Sequence, residues 1–374
     1  MKIATFAALA AVTAAVVGGA FYATQERDAV LADAFEKAPL YPGIADRLND
    51  ATFVRVETQS DGPLTMSKQG DKWTLAEKDG YAADIDKIRQ TLVELASLEK
   101  LEPKTKKPEN HADLAVEPVD GGDGAVTNSI HVTVKAGDEV LADLLIGRAR
   151  PRDVGGGVFV RKNGDDQVWL ASGSYQPKRR TLQWLDRSII NIDSRRTALV
   201  EIVHSDGDRV AAAKPDISAE DMAWAAEVPE GMEPKPVHEM NNLANITDFL
   251  VMEDVRMASE LDWTKADLAA RFHTYDGLMI TMMSTMGERF RWFQLSAATA
   301  GIDDRLAAFV EQNKGQDSEQ GRIADQMKSE DAVAAEAAAL QERLAPWAFR
   351  FTDFKSGKAA SRTTDMLQPA GTGG

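Results

Sequence analysis

The chain repeats itself once, and this limits its fold more than any other feature. Phe53-Val54-Arg55-Val56-Glu57 alternates apolar and polar residues with the period of a half-buried strand, and Ser60-Asp61-Gly62-Pro63 turns the chain behind it. Leu199-Val200-Glu201-Ile202-Val203 restores the strand pattern, and Ser205-Asp206-Gly207 restores the turn. Trp224 stands where Trp73 stood, after a longer loop. Each copy then carries one helical pattern. Ile85, Ile88, Leu92 and Leu95 form an apolar face behind Asp84, a residue type that caps helix N-termini. Val237, Met240, Leu243 and Leu250 do the same behind Pro236, and Ala266-Asp267-Leu268-Ala269 echoes Ala112-Asp113-Leu114-Ala115. A period this long means two repeated domains, because solenoid repeats are far shorter.

Further strand patterns fill both copies. In the first they are Leu64 to Met66, Trp73 to Leu75, Ile130 to Lys135, Val140 to Ile146, Val158 to Arg161 and Val168 to Ala171. In the second, Leu278 to Met282 and Phe290 to Leu295 are matched to Ile130 to Lys135 and Val140 to Ile146. An insertion follows, helical from about Asp303 to Leu344 and broken near Gly315 to Gly321, with an apolar seam of Val333, Ala337, Leu340 and Leu344. It is either a partner-binding arm or a hairpin of helices folded onto its own sheet. The fold class predicted is α+β: two tandem repeats of a strand-rich unit with one main helix each, a helical insertion in the second, and an N-terminal transmembrane helix. The boundaries are residues 1–24 for the anchor, 25–49 for a stalk and turn motif, 50–196 and 197–368 for the repeats, 303–345 for the inserted helices, and 369–374 for a flexible tail.

The anchor is Ile3 to Ala23, uncharged and rich in Ala and Val. About 20 apolar residues cross about 30 Å of hydrocarbon as a helix. A cleaved signal peptide has a shorter apolar core, so length favours a retained anchor, although Lys2 and the small residues near Gly18 and Ala23 also suit a signal. Lys2 is outnumbered by Arg27, Lys37 and Arg47 on the other side, so charge gives little orientation. The export-signal character of such a segment places the body outside the cytoplasm, and no second apolar run follows.

Charge and composition narrow the function. The 374 residues carry a formal net charge of -16, which argues against a nucleic-acid groove and against a body lying on an anionic membrane. With no cysteine there are no disulfides, thiol nucleophiles or thiolate metal sites.

Motifs for chemistry are absent. His111, His131, His204, His238 and His273 include no helical i, i+4 pair and no His-Glu-x-x-His, so no metal site is assigned. The acidic runs Asp120 to Asp123, Asp165-Asp166 and Asp206 to Asp208 lack the frame of a calcium loop and suit turns. Gly155-Gly156-Gly157 has no helix behind it to cradle phosphate and suits a hairpin loop. Gly357-Lys358 lacks the rest of a P-loop, and there is no Gly-x-Ser-x-Gly elbow. Arg148 to Arg152 and Lys178-Arg179-Arg180 suit solvated loops. No catalytic residue and no cofactor site is assigned.

The order of several short motifs resembles the domain-of-unknown-function family 4340. These are the single N-terminal anchor, Leu40-Tyr41-Pro42-Gly43-Ile44, Trp73-Thr74-Leu75, Gly80-Tyr81-Ala82-Ala83-Asp84, the loop from Lys104 to Leu114, Val158-Phe159-Val160-Arg161, Val168-Trp169-Leu170 and Trp184-Leu185-Asp186. Ala82 stands where the family often has proline. The resemblance covers most of the chain and is strongest from Pro39 to Ile192. It implies an accessory subunit of a gliding-type ABC transporter, with an ATPase, a permease and a membrane-anchored auxiliary subunit as partners. It carries no catalytic residue.

The expectation is therefore a non-enzymatic protein tethered to the cytoplasmic membrane, with its body in the periplasm or cell exterior, acting by protein docking. Exposed strand edges offer one docking mode. The alternative is a ligand-binding module holding an envelope saccharide or lipid in a cleft between the two repeats, with Trp184 the first candidate contact. A third reading, an envelope enzyme, requires a buried carboxylate pair in a pocket.

Overall fold

The computed structural model describes residues 37–121, 126–151, 153, 155–173 and 175–371. The predicted anchor and the first part of the stalk lie outside the described residues. The chain divides into two compact units between Asp186 and Arg187.

The first unit is built on a ten-stranded sheet. In chain order its elements are β1 (Ala38–Pro39), β2 (Phe53–Thr58), β3 (Gly62–Gln69), β4 (Lys72–Leu75), β5 (Tyr81–Ala82), α1 (Ile85–Ala96), β6 (Glu99–Pro103), β7 (Ile130–Ala136), β8 (Glu139–Ala149), β9 (Val158–Lys162) and β10 (Val168–Ala171). The spatial order is β1-β6-β10-β9-β8-β7-β2-β3-β4-β5, antiparallel at every pairing. Period-two alternation sets the register, since a one-residue slip would turn every apolar side chain outward. Val56, Val132 and Leu144 form one cross-strand row, and Ile130, Ile146 and Val160 another, all buried. Helix α1 starts where the sequence places it. Asp84 Oδ1 accepts from the backbone N–H of Asp86 and Lys87 at 3.0 and 3.2 Å. Ile88, Leu92 and Leu95 are buried, whereas Ile85, in the first turn, is exposed.

The unit begins earlier than residue 50. Leu40 is fully buried, its N–H donating to Leu98 O at 2.8 Å, and the Tyr41 hydroxyl donates to Asp143 O at 2.7 Å. Residues 38–49 are thus part of the first unit, not of a stalk, because Leu40 and Ile44 bury in it and β1 joins its sheet.

The second unit contains β11 (Ser188–Ile190), β12 (Thr197–His204), β13 (Arg209–Ala213), β14 (Ala223–Trp224), β15 (Met232–Pro234), α2 (Val237–Ala244), β16 (Leu250–Met257), β17 (Leu268–Thr274), β18 (Leu278–Met286) and β19 (Arg291–Thr299). It continues with α3 (Leu306–Asn313), α4 (Glu319–Gln326), α5 (Glu330–Leu344), β20 (Trp347–Phe351), α6 (Asp353–Ala359), α7 (Thr363–Met366) and β21 (Leu367–Pro369). Its nine-stranded sheet runs β11-β16-β20-β19-β18-β17-β12-β13-β14, and β15 pairs with β21 in a separate ribbon. From β11 to β14 this repeats the order of the first sheet from β1 to β4, with no counterpart of β5, so the duplication is one of topology. Val200, Phe272, Ile280 and Ala297 form one buried row and Ile202, Ala270, Met282 and Leu295 the next.

The structure corrects five details of the sequence reading. Strand β11 pairs with β16, so the second unit begins at Arg187 and not at residue 197. Leu250 is not on α2 but opens β16, while Val237 on α2 is exposed. The topological partner of β7 is β17, which the sequence reading passed over because Leu268-Ala269-Ala270-Arg271 is poor in β-branched residues. The echo between Ala112 and Ala266 falls with it, since Ala112–Leu114 is a 3-10 turn and Leu268 begins a strand. Pro369, placed in a flexible tail, pairs with Met232.

The inserted helices fold onto their own unit. Val333, Ala337 and Leu344 of α5 are buried, α5 packs on β18 and β19, and Gln341 Oε1 accepts from Ala297 N at 2.9 Å. Leu306, Ile323 and Met327 cluster with Ile217 and Tyr275. The edge strands β1, β5 and β14 have two residues each and β11 has three. Such short edges resist pairing with another chain.

Candidate functional site

Trp184 follows a 3-10 turn, Thr181–Gln183, and is fully buried within the first unit. Its indole N–H donates to Lys178 O at 2.9 Å, and its own carbonyl accepts from Asp84 N at 2.7 Å. With the bridge between Ala83 and Leu185, the segment pins the start of α1. Ring and polar atom are both committed to the fold.

A cleft of about 290 Å³ lies beside this anchor point, between Gln90 and Glu94 of α1, Ser97 just after it, and Gly173, Tyr175, Gln176 and Lys178. Tyr175 lines it. Its hydroxyl is buried without a hydrogen-bond partner among the described residues. Burial, with the Glu94 carboxylate adding to it, pushes the phenol pKa far above its usual value. Glu117 Oε2 and Ser129 Oγ of the first unit are buried without a partner in the same way, but Tyr175 is the one that lines this cleft, and tyrosine's frequency in ordinary cores hides it in the sequence.

The second unit has a larger cleft, about 450 Å³, walled by the segments around Asp193, Phe249 and Lys328. At its base the buried Arg196 donates to both oxygens of Asp276 at 3.1 and 3.2 Å and to both of Glu336 at 3.2 and 2.9 Å. Lys328 Nζ lies 2.8 Å from Glu336. Burial works against the charge on Glu336, but Arg196 and Lys328 outweigh it and hold the carboxyl below its usual range. Asp193 is held well below that range by Arg195, whose guanidinium grips it at 2.9 and 2.7 Å, and it also accepts from Gln326 Nε2 at 2.8 Å. Asp248 moves the other way, raised by burial and by the neighbouring Asp193.

Phe249 stands at the mouth of this cleft. Its backbone is left-handed, with φ at 44°, and its side chain is 72% exposed. Asn191 Oδ1 accepts from its backbone N–H at 3.0 Å and holds the turn. A bulky residue in this region costs about 1–2 kcal/mol, and such strain concentrates at functional sites. Nothing in the one-dimensional pattern singles out this position.

The histidines do not converge. His111 and His204 are buried against the carbonyls of Asp166 and Ser361, each at 3.0 Å, and His131 bonds to Asp143. His238 is exposed and His273 is lowered in pKa by burial. Among the described residues no group of three or more His, Asp or Glu is placed to hold a metal ion.

Residues 73–269, more than half of the chain, match the family described as Domain of unknown function (DUF4340). The chain belongs to this family. The DUF4340 segment runs from Trp73 in β4 to Ala269 in β17, so it crosses from the first unit into the second. It contains the whole Tyr175 cleft, Trp184 and Phe249, and leaves Asp276, Lys328 and Glu336 outside. The motif Leu40 to Ile44 also lies outside it. No curated protein and no solved structure matches the chain.

Proposed function

We propose that the protein is a non-enzymatic accessory component of a gliding-type ABC transport assembly. It is tethered to the cytoplasmic membrane by Ile3 to Ala23, with its body in the periplasm or cell exterior. Membership of the DUF4340 family carries this reading, because the resemblance implies an ATPase, a permease and a membrane-anchored auxiliary subunit as partners. The apolar segment supports the tether. Among the described residues no helix is long and apolar enough to cross a membrane, and the proposed tether lies outside them. Docking proceeds through side chains, since the sheet edges are short. Met283, Met286 and Phe290 on the β18–β19 hairpin are exposed and offer adaptable apolar contact.

The test is affinity purification of the full-length protein from its native cells in mild detergent, with mass spectrometry of what accompanies it. An ATPase and a permease should co-purify, and both should be lost when residues 1–23 are replaced by an unrelated anchor. Recovery of the protein alone in several detergents would sink the reading.

A second reading, a binding module for an envelope saccharide, is favoured by Phe249. An exposed aromatic face beside Asn191, Asp193, Asp248 and Gln326 suits a sugar ring, which stacks on its apolar face and hydrogen-bonds at its rim. Under this reading Phe249→Gly abolishes saccharide binding while leaving folding stability unchanged or higher by up to about 1 kcal/mol, because relief of the left-handed strain offsets the lost ring. Calorimetric titration with envelope saccharides and urea denaturation read the two effects. Unaltered binding, or a stability loss above about 2 kcal/mol, would reject it.

A further inference from the structure

Three Lys or Arg side chains are buried among the described residues: Arg161, Arg196 and Lys214. Two are satisfied. Arg161 donates to the carbonyls of Val116 and Asp165 at 2.8 and 2.9 Å, and Arg196 to Asp276 and Glu336 as above. Lys214 is different. It is 7% exposed, its backbone N–H is fixed on Ala198 O at 2.9 Å, and its ammonium has no acceptor within hydrogen-bond reach among the described residues. The side chain as a whole is buried, but its ammonium nitrogen is not sealed off: it opens onto a solvent-accessible cavity, where a ligand can reach it. Desolvation lowers the lysine pKa, although Asp193, Glu319 and Asp221 lie near enough to favour its charge.

The lysine lines a cavity of about 180 Å³ with Ser194, Arg195, Glu220, Asn241 and Asn245. The other donors there are unevenly available. Arg195 is taken up by Asp193. Asn241 accepts from Met222 N at 2.8 Å and donates to Asp221 at 2.7 Å. Among the described residues the Lys214 ammonium, the Ser194 hydroxyl and the Asn245 amide have no side-chain partner. We propose that this cavity binds one carboxylate group, carried by a small monoanionic ligand, with Lys214 as its counter-ion.

The surrounding charge selects the monoanion. Among the described residues the Lys214 ammonium has no ion-pair partner, while Asp193, Asp221 and Glu319 lie near it, Glu220 lines the cavity, and the Arg195 guanidinium beside it is already committed to Asp193. A phosphate dianion would bring two negative charges against those four acids, with the Lys214 ammonium the one cation lining the cavity, among the described residues, that is not already ion-paired. The volume corresponds to about six waters at about 30 Å³ each, enough for a carboxylate and a few carbons. The site lies wholly in the second unit and does not depend on the docking role proposed above.

The test uses full-length protein with isotope-labelled lysine, the Lys214 signal being assigned by its loss in Lys214→Met. Sodium acetate and inorganic phosphate are titrated separately at constant ionic strength. Acetate should shift the Lys214 signal saturably and raise its pKa. Phosphate should bind at least tenfold more weakly. By calorimetry Lys214→Met should lower acetate affinity at least tenfold, and Lys214→Arg should restore part of it. No saturable response to acetate would overturn the proposal and leave the cavity to water. Equal affinity for phosphate would overturn the carboxylate assignment, and undiminished acetate binding in Lys214→Met would overturn the role of the lysine. If Lys214→Met fails to fold, Lys214→Arg assigns the signal and the wild-type titrations decide alone.

Discussion

Replacing Arg196 by methionine is expected to destabilise the second unit by about 3–5 kcal/mol, the usual cost of breaking a buried ion pair from one side. The Arg196 side chain is 5% exposed and that of Asp276 0%. Without the guanidinium, Asp276 retains, among the described residues, only neutral donors, the Thr274 hydroxyl at 2.6 Å and the Lys328 backbone N–H at 3.0 Å. These lower the cost of the buried charge without cancelling it. Glu336→Gln should cost less, about 1 kcal/mol, because an amide keeps some of the hydrogen bonding and the site is partly solvated. Urea denaturation measures both, and amide exchange in β12 and β17 assigns the loss to this sheet. A loss below about 1 kcal/mol in Arg196→Met would mean that water replaces the guanidinium and that Asp276 is not sealed. The network also ties α5 to the turn after β17, so Arg196→Met should loosen the inserted helices first.

Gly147→Ala should destabilise the first unit by about 1–3 kcal/mol or more, the range for overpacking a filled site. A Cβ there would stand 2.1 Å from Leu114 O, and 2.8 Å from both Ala115 O and Val116 Cγ1. Two of these neighbours are backbone carbonyls, which cannot swing aside as a side-chain end can. The crossing strap is itself held tightly. Val116 N donates to His111 O at 3.0 Å, Arg161 Nε donates to Val116 O, and Val116 packs on Leu145 and Val168. The glycine is thus required by close approach and not by its own dihedrals. Gly357→Ala is the control, since no atom lies within 4 Å of its Cβ position and it sits in α6. Thermal melts of the two variants separate the effects. Equal stability of Gly147→Ala and wild type would show that the strap after the Lys104 loop lifts off β8 at little cost.

The strands of the fold were legible wherever apolar residues alternate cleanly, as in Phe53 to Glu57 and Leu199 to Val203. The same holds for α1, where the Asp84 cap and the Ile88–Leu95 face agree. Strand β17 was missed because its burial comes from Leu268, Ala270 and Phe272 in a segment of weak β preference. Tertiary neighbours override propensity there. The candidate sites were not legible. Lys214, Tyr175 and Phe249 are ordinary residues in the linear pattern. Each becomes distinctive only through burial, an unpaired polar atom or a left-handed backbone. Trp184 shows the converse, a prominent residue in the sequence that the structure spends on pinning α1.

By itself the amino-acid sequence determined the class of the protein, its duplication and its family, because hydrophobic period, turn residues and motif order are local properties. Only the tertiary structure decided which strands pair across the two sheets, where the second unit begins, that the inserted helices cover their own sheet, and that one buried lysine faces a cavity without a partner. These depend on residues far apart in the chain meeting in space, and on whether a charge that is free in an extended chain ends up facing a cavity without a protein partner.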